Sequence, residues 1–443
     1  MNAVLLSVVV MLGLSLSRVN VVLSLLIGAM VGGVIAGMPL KETLEAFEKG
    51  MAGGASIALS YAILGAFAMA IAESGLPKLL AKKAVLAIDK QGLGVSLKYG
   101  LFLLLGLLAM ASQNIVPIHI AFIPLIVPPL LLVFDRLRVD RRAIACVLTF
   151  GLVNTYMFIP YGFGDIFLNQ IILGSIKDAG VTVENLSIMR TMAIPALGML
   201  LGLLCALFFS YRKPRTYQSR TVTHDMPASE PSQNDADIPI FGLWVSLFAI
   251  VLAFVVQLLT SSLLIGAAVG FGVFMVTGVV KWHKADTVFG EGIKMMAMIG
   301  FIMICAQGFA EVMRATGQID GLVTWAVTVF DGQKSLAVLA MLFVGLLVTM
   351  GIGSSFSTVP ILAAIYVPLC VALGLSVPAT VALVAVSGVL GDAGSPASDS
   401  TLGPTMGLNA DGQHDHIKDT VIPTFIHYNI PLIVFGWLAV MML

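Results

Sequence analysis

A chain of 443 residues that is 58% hydrophobic and 11% charged, with a mean hydropathy of +1.01, is too apolar for an ordinary water-soluble fold. Its 24 basic and 24 acidic side chains cancel, giving no reason to expect nucleic acid as a partner, and Cys146, Cys205, Cys305 and Cys370 stand singly in apolar segments, as small core residues rather than zinc ligands or disulfides. Apolar runs of roughly 17–25 residues, each long enough to cross a bilayer, recur from end to end. The expected class is an all-α polytopic membrane protein of the cell (inner) membrane, embedded in lipid.

The first run, Asn2 to Ser17, has no basic n-region and no convincing small-residue cleavage site, and reads as a retained helix rather than a signal peptide. Ser24 to Gly32 lies in the second. Pro77 to Asp89 is short and suits an amphipathic helix at the interface. From Lys98 the chain runs apolar to Ala111, meets Ser112, Gln113 and Asn114, and returns apolar to Phe134 beside a second basic cluster, which describes a re-entrant hairpin or a closely paired helix couple. The next span breaks from Asn154 and Thr155 through Pro160 to Asp165. A hydrophilic stretch at 212–238, with Arg212, Lys213, Arg215 and Arg220, separates two halves, 1–211 and 239–443.

The second half repeats this order. Ser262 to Gly270 matches Ser24 to Gly32 at all but one position, Phe309, Ala310 and Gly317 answer Phe67, Ala68 and Gly75, and Ser355 with Val359-Pro360 answers Ser112 with Val116-Pro117. Offsets of 238 to 243 kept in order favour a true repeat. Gly321 to Phe330 is the second interfacial candidate. Lys334 leads through Leu347 to a polar tip, Gly351 to Thr358, and back to Leu375. Val377 to Leu390 is then only 14 residues, too short to cross, so Gly391 to Thr401 must help complete the span.

Cytoplasmic loops carry excess Lys and Arg. Arg18, Lys78 to Lys98, Arg136 to Arg142, the linker, Lys281, Lys284, Lys294 and Lys418 fall on one side and six basic residues on the other, a split of 18 to 6. Equivalent helices then run in opposite directions, which makes the halves inverted repeats with re-entrant hairpins and broken transmembrane helices.

Irregular backbone at membrane depth survives only inside protein or against water, so the two tips and two breaks should converge on one cavity. They supply Ser112, Gln113, Asn114, Asn154, Thr155, Asp165, Ser354, Ser355, Ser357, Thr358, Asp392, Ser395, Ser398, Asp399 and Thr401. These hard oxygen and amide groups suit Na⁺ and a small polar solute, and helix N-termini after each break could hold a substrate carboxylate. Each centrally buried Asp costs about 2.5–3.5 kcal/mol on insertion scales, so Asp392 and Asp399 lead the candidates. Plainer readings stand beside these: a surface loop for Gly391 to Thr401, a helix cap for Asp165, a satisfied core residue for His119, snorkelling for Glu73 and Glu311. A solvated loop accounts for His414 and His416, with a pH or metal sensor as the alternative.

Gly162-Phe-Gly-Asp165 and Pro195-Ala-Leu197 imitate the signature of intramembrane aspartyl proteases, a remote alternative because the upstream Tyr-Asp is missing. More specifically, Gly391-Asp392, Ser395-Pro396, Ser398-Asp399 and Thr401 resemble the Gly-Asp-x-x-Ser-Pro-x-Ser-Asp-x-Thr pattern of the NhaC-type sodium/proton antiporter family, most of all its amino-acid (histidine) permease branch. The resemblance implies a scaffold of about 1–90 and 239–330, a transport domain of about 95–211 and 335–443, and a homodimer moving as an elevator. The combined expectation is a secondary transporter, not an enzyme, that imports a small amino acid with Na⁺ as coupling ion and no organic cofactor. Na⁺ is expected near Ser112 and Asn114, and near Ser355, Thr358 and Asp392. Na⁺/H⁺ antiport is the alternative, with H⁺ as the second ion.

Overall fold

The computed structural model describes residues 2–17, 19–76, 79, 95–114, 119–183, 186–217, 240–260, 262–318, 321, 325, 328–329, 333–352, 355–396 and 398–443. The expected interfacial segments Pro77 to Asp89 and Gly321 to Phe330 lie largely outside these residues. The first half consists of α1 (Ala3–Leu16), α2 (Val21–Ile35), α3 (Leu40–Glu73), α4 (Val95–Asn114), α5 (His119–Arg136), α6 (Arg141–Phe158), α7 (Phe163–Asp178) and α8 (Ile188–Ser210). After the linker come α9 (Ile240–Thr260), α10 (Leu263–Val276), α11 (Trp282–Ala315), α12 (Lys334–Ile352), α13 (Ser355–Ala372), α14 (Val377–Val389), α15 (Asp399–Leu408) and α16 (His416–Met442). The described residues contain no strand.

Local sequence sets several of these starts. Asn20, Asp140, Ser262 and Ser376 precede α2, α6, α10 and α14, and each side chain accepts a backbone N–H of the first turn that would otherwise be orphaned. Pro378 then sits where its missing N–H is not needed. By length and composition, α8, residues 240–257 of α9, the run 377–408 and α16 can each cross a membrane, and the pair α6–α7, bent by 56°, adds a fifth span among the described residues. Cys146, Cys305 and Cys370 are buried as expected. Cys205 is exposed instead, on the outward face of α8 with Leu201 and Leu204, where an apolar surround serves a small thiol as well as a core does.

The longest elements, α3 and α11, have 34 residues each and pack antiparallel. Gly50 lies against Gly308, Ala58 against Gly300, and Ala66 against Gly292, where an added Cβ would overlap the Ala66 backbone. The partners exchange: Gly50 and Gly292, Ala58 and Gly300, Ala66 and Gly308 are all separated by 242 positions. The flanking helices follow the same rule. A Cβ on Gly28 would stand 3.2 Å from Phe309 and 2.8 Å from Met11, and one on Gly270 would stand 2.5 Å from Phe67 and 3.0 Å from Ala253. Packing therefore pairs Gly28 with Gly270, one helical turn away from the sequence match of Ser24–Gly32 to Ser262–Gly270. At the end of this seam Glu311 does not snorkel: it pairs with Lys49 at 2.7 Å and Arg314 at 3.0 Å.

A second cluster ties the start of α6 to the loop between α15 and α16. Arg141 is fully buried and donates to both oxygens of Asp411 at 2.7 Å, to Asp135 at 3.1 Å and to the Leu408 carbonyl at 3.0 Å. The first linker residues fold back on it. The Arg141 N–H donates to the Tyr217 hydroxyl, and Arg215 reaches Asp419 at 2.8 Å. His414 is correspondingly not solvated, and the half-buried His416 is bonded at both ring nitrogens. His414 is 2% exposed and hydrogen-bonds Thr420 at 2.7 Å, while His416 bonds Thr405 at 2.8 Å and the Pro396 carbonyl at 2.9 Å. The loop turns inward because the Asn409 side chain accepts the His414 N–H.

Two outcomes are expected. Gly292→Leu forces bulk into the α3–α11 seam and lowers the melting temperature of purified protein by the equivalent of about 1–3 kcal/mol, whereas Gly272→Ala, which meets open space, does not lower it. Burial pushes His414 down to about 4, so the folded form stays neutral while the unfolded chain binds a proton below about 6.5. Its stabilising contribution is therefore complete at pH 7 and is lost as pH falls; thermal unfolding should show about 2 kcal/mol lost between pH 7 and 5, a slope that His414→Gln flattens.

Candidate functional site

The second break is built around one carboxylate. Helix α14 is buried from Ala379 to Val389 and ends at Leu390, where Gly391 turns the chain with φ 91°, a conformation that favours glycine. The freed Gly391 N–H donates to the side-chain oxygen of Asn429 at 3.0 Å. Asp392 follows, 6% exposed. Ser398, which also caps α15, donates to one carboxylate oxygen at 2.6 Å, and Ser400 donates to the other at 3.3 Å. Tyr156 of α6 donates to that second oxygen as well, and its hydroxyl stands 2.8 Å from Ser355 Oγ at the start of α13. A hairpin, a break and a first-half helix thus meet at Asp392.

Around this point the remaining hydroxyls close the backbone. Thr401 donates to the carbonyls of Ser395 at 2.6 Å and Ser398 at 3.0 Å, and Ser395 donates to the Met350 carbonyl at 3.1 Å. Ser395, Ser398 and Thr401 are all fully buried, so the surface-loop reading of this segment does not hold. Asp399 starts α15 and is only half-buried. Thr358 is buried in α13, whereas Ser354 and the side chain of Ser357 lie outside the described residues, as does the side chain of His119.

The first break is held differently. Gly162, with φ 62°, lies so close to the Asn114 carbonyl that a Cβ would overlap it, and Asn114 spans the gap by accepting the Gly164 N–H at 2.9 Å and donating to the Ile159 carbonyl at 3.4 Å. Asn154 and Thr155 lie within α6, one turn ahead of the break. Helices α4 and α6 run side by side, with Gly106 near Val147 and Ala109 near Gly151, which brings Gln113 level with Asn154. The oxygens Gln113 Oε1 and Asn154 Oδ1 are buried without a hydrogen-bond partner among the described residues. Ser112 and Thr155 donate back to their own helices, to Ala109 and Gly151, leaving their oxygen lone pairs available.

Asp165 lies just past the first break, next to Gly164. Its carboxylate accepts from Asn169 at 2.6 Å and Gln170 at 3.3 Å, the next turn of its own helix, and these bonds link it to no second carboxylate. Sequence reasoning missed Tyr156 and Asn429. Both carried a signal, since a polar group inside an apolar helix is a site candidate by default, but neither lies in a glycine-rich break.

Chemically, every donor to Asp392 among the described residues is a neutral hydroxyl, and no lysine or arginine joins its hydrogen-bond shell. Ionising a carboxylate away from water costs several kcal/mol unless a cation or a proton compensates it. The site can therefore exchange one small positive charge for another.

Known proteins resemble this chain over its whole length. Residues 147–437 match the Na⁺/H⁺ antiporter family, and residues 2–88 match a second family described as Na⁺-H⁺ antiporters. An uncharacterized membrane protein of Vibrio parahaemolyticus is 55% identical over the full length of both chains. A Bacillus subtilis protein, YuiF, described as a candidate amino acid transporter, is 45% identical, again over both whole chains. Among solved structures, the Alcanivorax borkumensis YdaH transporter superposes with a TM-score of 0.60 at 15% identity, covering 90% of this chain and 88% of its own. The Neisseria gonorrhoeae antimetabolite efflux pump MtrF gives 0.59 at 14%, covering 90% and 84%. These likenesses are to transporters, not proteases. The protein is a polytopic helical membrane transporter, and the chain belongs to the Na⁺/H⁺ antiporter family.

Proposed function

We propose that the protein is a sodium-coupled secondary active transporter that carries a small amino acid with Na⁺ by an elevator-type alternation of access. The observation that carries this reading is Asp392, buried and surrounded by neutral oxygens from both halves. One Na⁺ would bind at Asp392 with Ser355 and Thr358, and a second near Ser112, Asn114 and the first break. The unpartnered oxygens of Gln113 and Asn154 support a cation there, because an acceptor without a donor is what Na⁺ satisfies. The amino-acid cargo is supported by the description of the Bacillus relative.

Exchanged contacts along α3 and α11 support two inverted repeats, 1–211 and 239–443, joined by the linker. In this reading the long helices belong to a fixed scaffold, about 1–90 and 239–330, which pairs as a homodimer. The hairpins and breaks, about 95–211 and 335–443, form the part that moves. One charge entering down about 100 mV releases about 2.3 kcal/mol, so a single net Na⁺ can sustain a useful solute gradient.

A second reading, Na⁺/H⁺ antiport, is supported by the family description and by the same carboxylate, which without a basic neighbour can take a proton in place of Na⁺. Proteoliposomes separate the two. A Na⁺ gradient that drives labelled amino acid supports symport; one that moves protons with no organic solute present supports antiport. In either case Asp392→Asn should reduce Na⁺-driven flux to background, and Ser355→Ala should weaken apparent Na⁺ affinity about tenfold, read from the Na⁺ dependence of flux.

A further inference from the structure

Tyr156 joins the two halves at the candidate ion site. It is 1% exposed, and its ring is held by Phe167, at 4.8 Å between centroids, and by Phe356, at 5.3 Å. Phe356 in turn packs on Phe163 and Phe167. The ring is thereby fixed, and the freedom left to the phenol is the direction of its O–H. Among the acceptors within reach of that hydrogen are Asp392 Oδ2 and, at 2.8 Å, Ser355 Oγ, which can serve as acceptor or donor.

Resting on the reading of Asp392 as a cation site, we propose that the Tyr156 hydroxyl is a built-in stand-in for the cation. When no ion is bound, its hydrogen lies on Asp392 and compensates part of the buried negative charge. When Na⁺ arrives, the hydrogen turns to Ser355 Oγ; no covalent bond changes, and Asp392 Oδ2 together with the second lone pair of Ser355 faces the ion. The stand-in has a mechanical use. An emptied carrier must return across the membrane, and a bare carboxylate would resist that step, whereas a donor-paired one can make it. Tyr156 competes with Na⁺ for Asp392 and is a positioning residue rather than an ion ligand.

The sign of the effect distinguishes this from a ligand role. Tyr156→Phe removes the competitor and should tighten Na⁺ binding roughly tenfold, read from the Na⁺ dependence of the melting temperature of purified protein with choline as control. Net Na⁺-driven transport in proteoliposomes should fall, while exchange of labelled Na⁺ by the loaded carrier persists. Replacing Tyr156 by 3-fluorotyrosine, a stronger donor of nearly the same shape, should shift Na⁺ affinity the other way, and this measurement decides the matter if the Phe variant does not fold. Wild-type protein stabilised by Na⁺ combined with unchanged or weaker binding in Tyr156→Phe, or with unchanged or tighter binding in the fluorinated protein, overturns the stand-in alone. Wild-type protein indifferent to Na⁺ overturns the cation site itself and the stand-in with it.

Discussion

A carboxylate that has left water must find its compensation among whatever atoms the fold can bring to it, and Asp392 has three hydroxyls from two separate elements, α6 and the start of α15. That requirement explains much of the surrounding architecture. Helix α14 stops early so that Ser398 and Ser400 can double back, α13 begins where Ser355 can reach inward, and α6 passes close enough to donate from Thr149 to the Ser400 carbonyl at 2.8 Å. Each interruption of the helical ladder leaves backbone groups to be paired, and the breaks recruit amide side chains for this: Asn114 at the first, Asn429 at the second.

Much of this was legible in the sequence because lipid makes polar residues conspicuous. Asp392, Ser398 and Ser355 stood out against apolar flanks, and the short run before Gly391 could not be a span by itself. Tyr156 was easier to pass over, since a tyrosine in a membrane helix is as much ring as hydroxyl and its partner lies 236 residues away. For Asp165, sequence spacing alone does not reveal that Asn169 and Gln170 reach back to satisfy it. The likeness of the two halves was detectable, but not the register of the exchanged contacts. Gly28 and Gly32 in one half, and Gly266 and Gly270 in the other, have the same four-residue spacing, so a slip of one helical turn leaves the letters aligned while the contacts are not.

The loop after α15 shows how far the site extends. Arg141, Asp411 and the first linker residues hold the loop down, and from it His416 reaches the carbonyl of Pro396, three residues before Asp399. Burial alone would raise the Asp411 carboxyl, yet hydrogen bonds from Arg141 and Gln413 keep it below the ordinary carboxylate value. The polar linker is thus, at its beginning, part of the folded body. Whatever shifts the break must also strain this chain of bonds.

Length itself constrains α3 and α11. At 1.5 Å per residue each measures about 51 Å, against about 30 Å of hydrocarbon. The surplus carries Lys41, Glu42, Glu45 and Glu48 on one helix and Lys284, Asp286 and Glu291 on the other, at opposite ends of an antiparallel pair. In the proposed scaffold role, neither helix could sink without drawing charge into oil, which would pin their depth from both faces. In the proposed elevator, swelling or thinning of the surrounding membrane would be absorbed by the shorter helices beside them, so acyl-chain length would act as a physical throttle on transport.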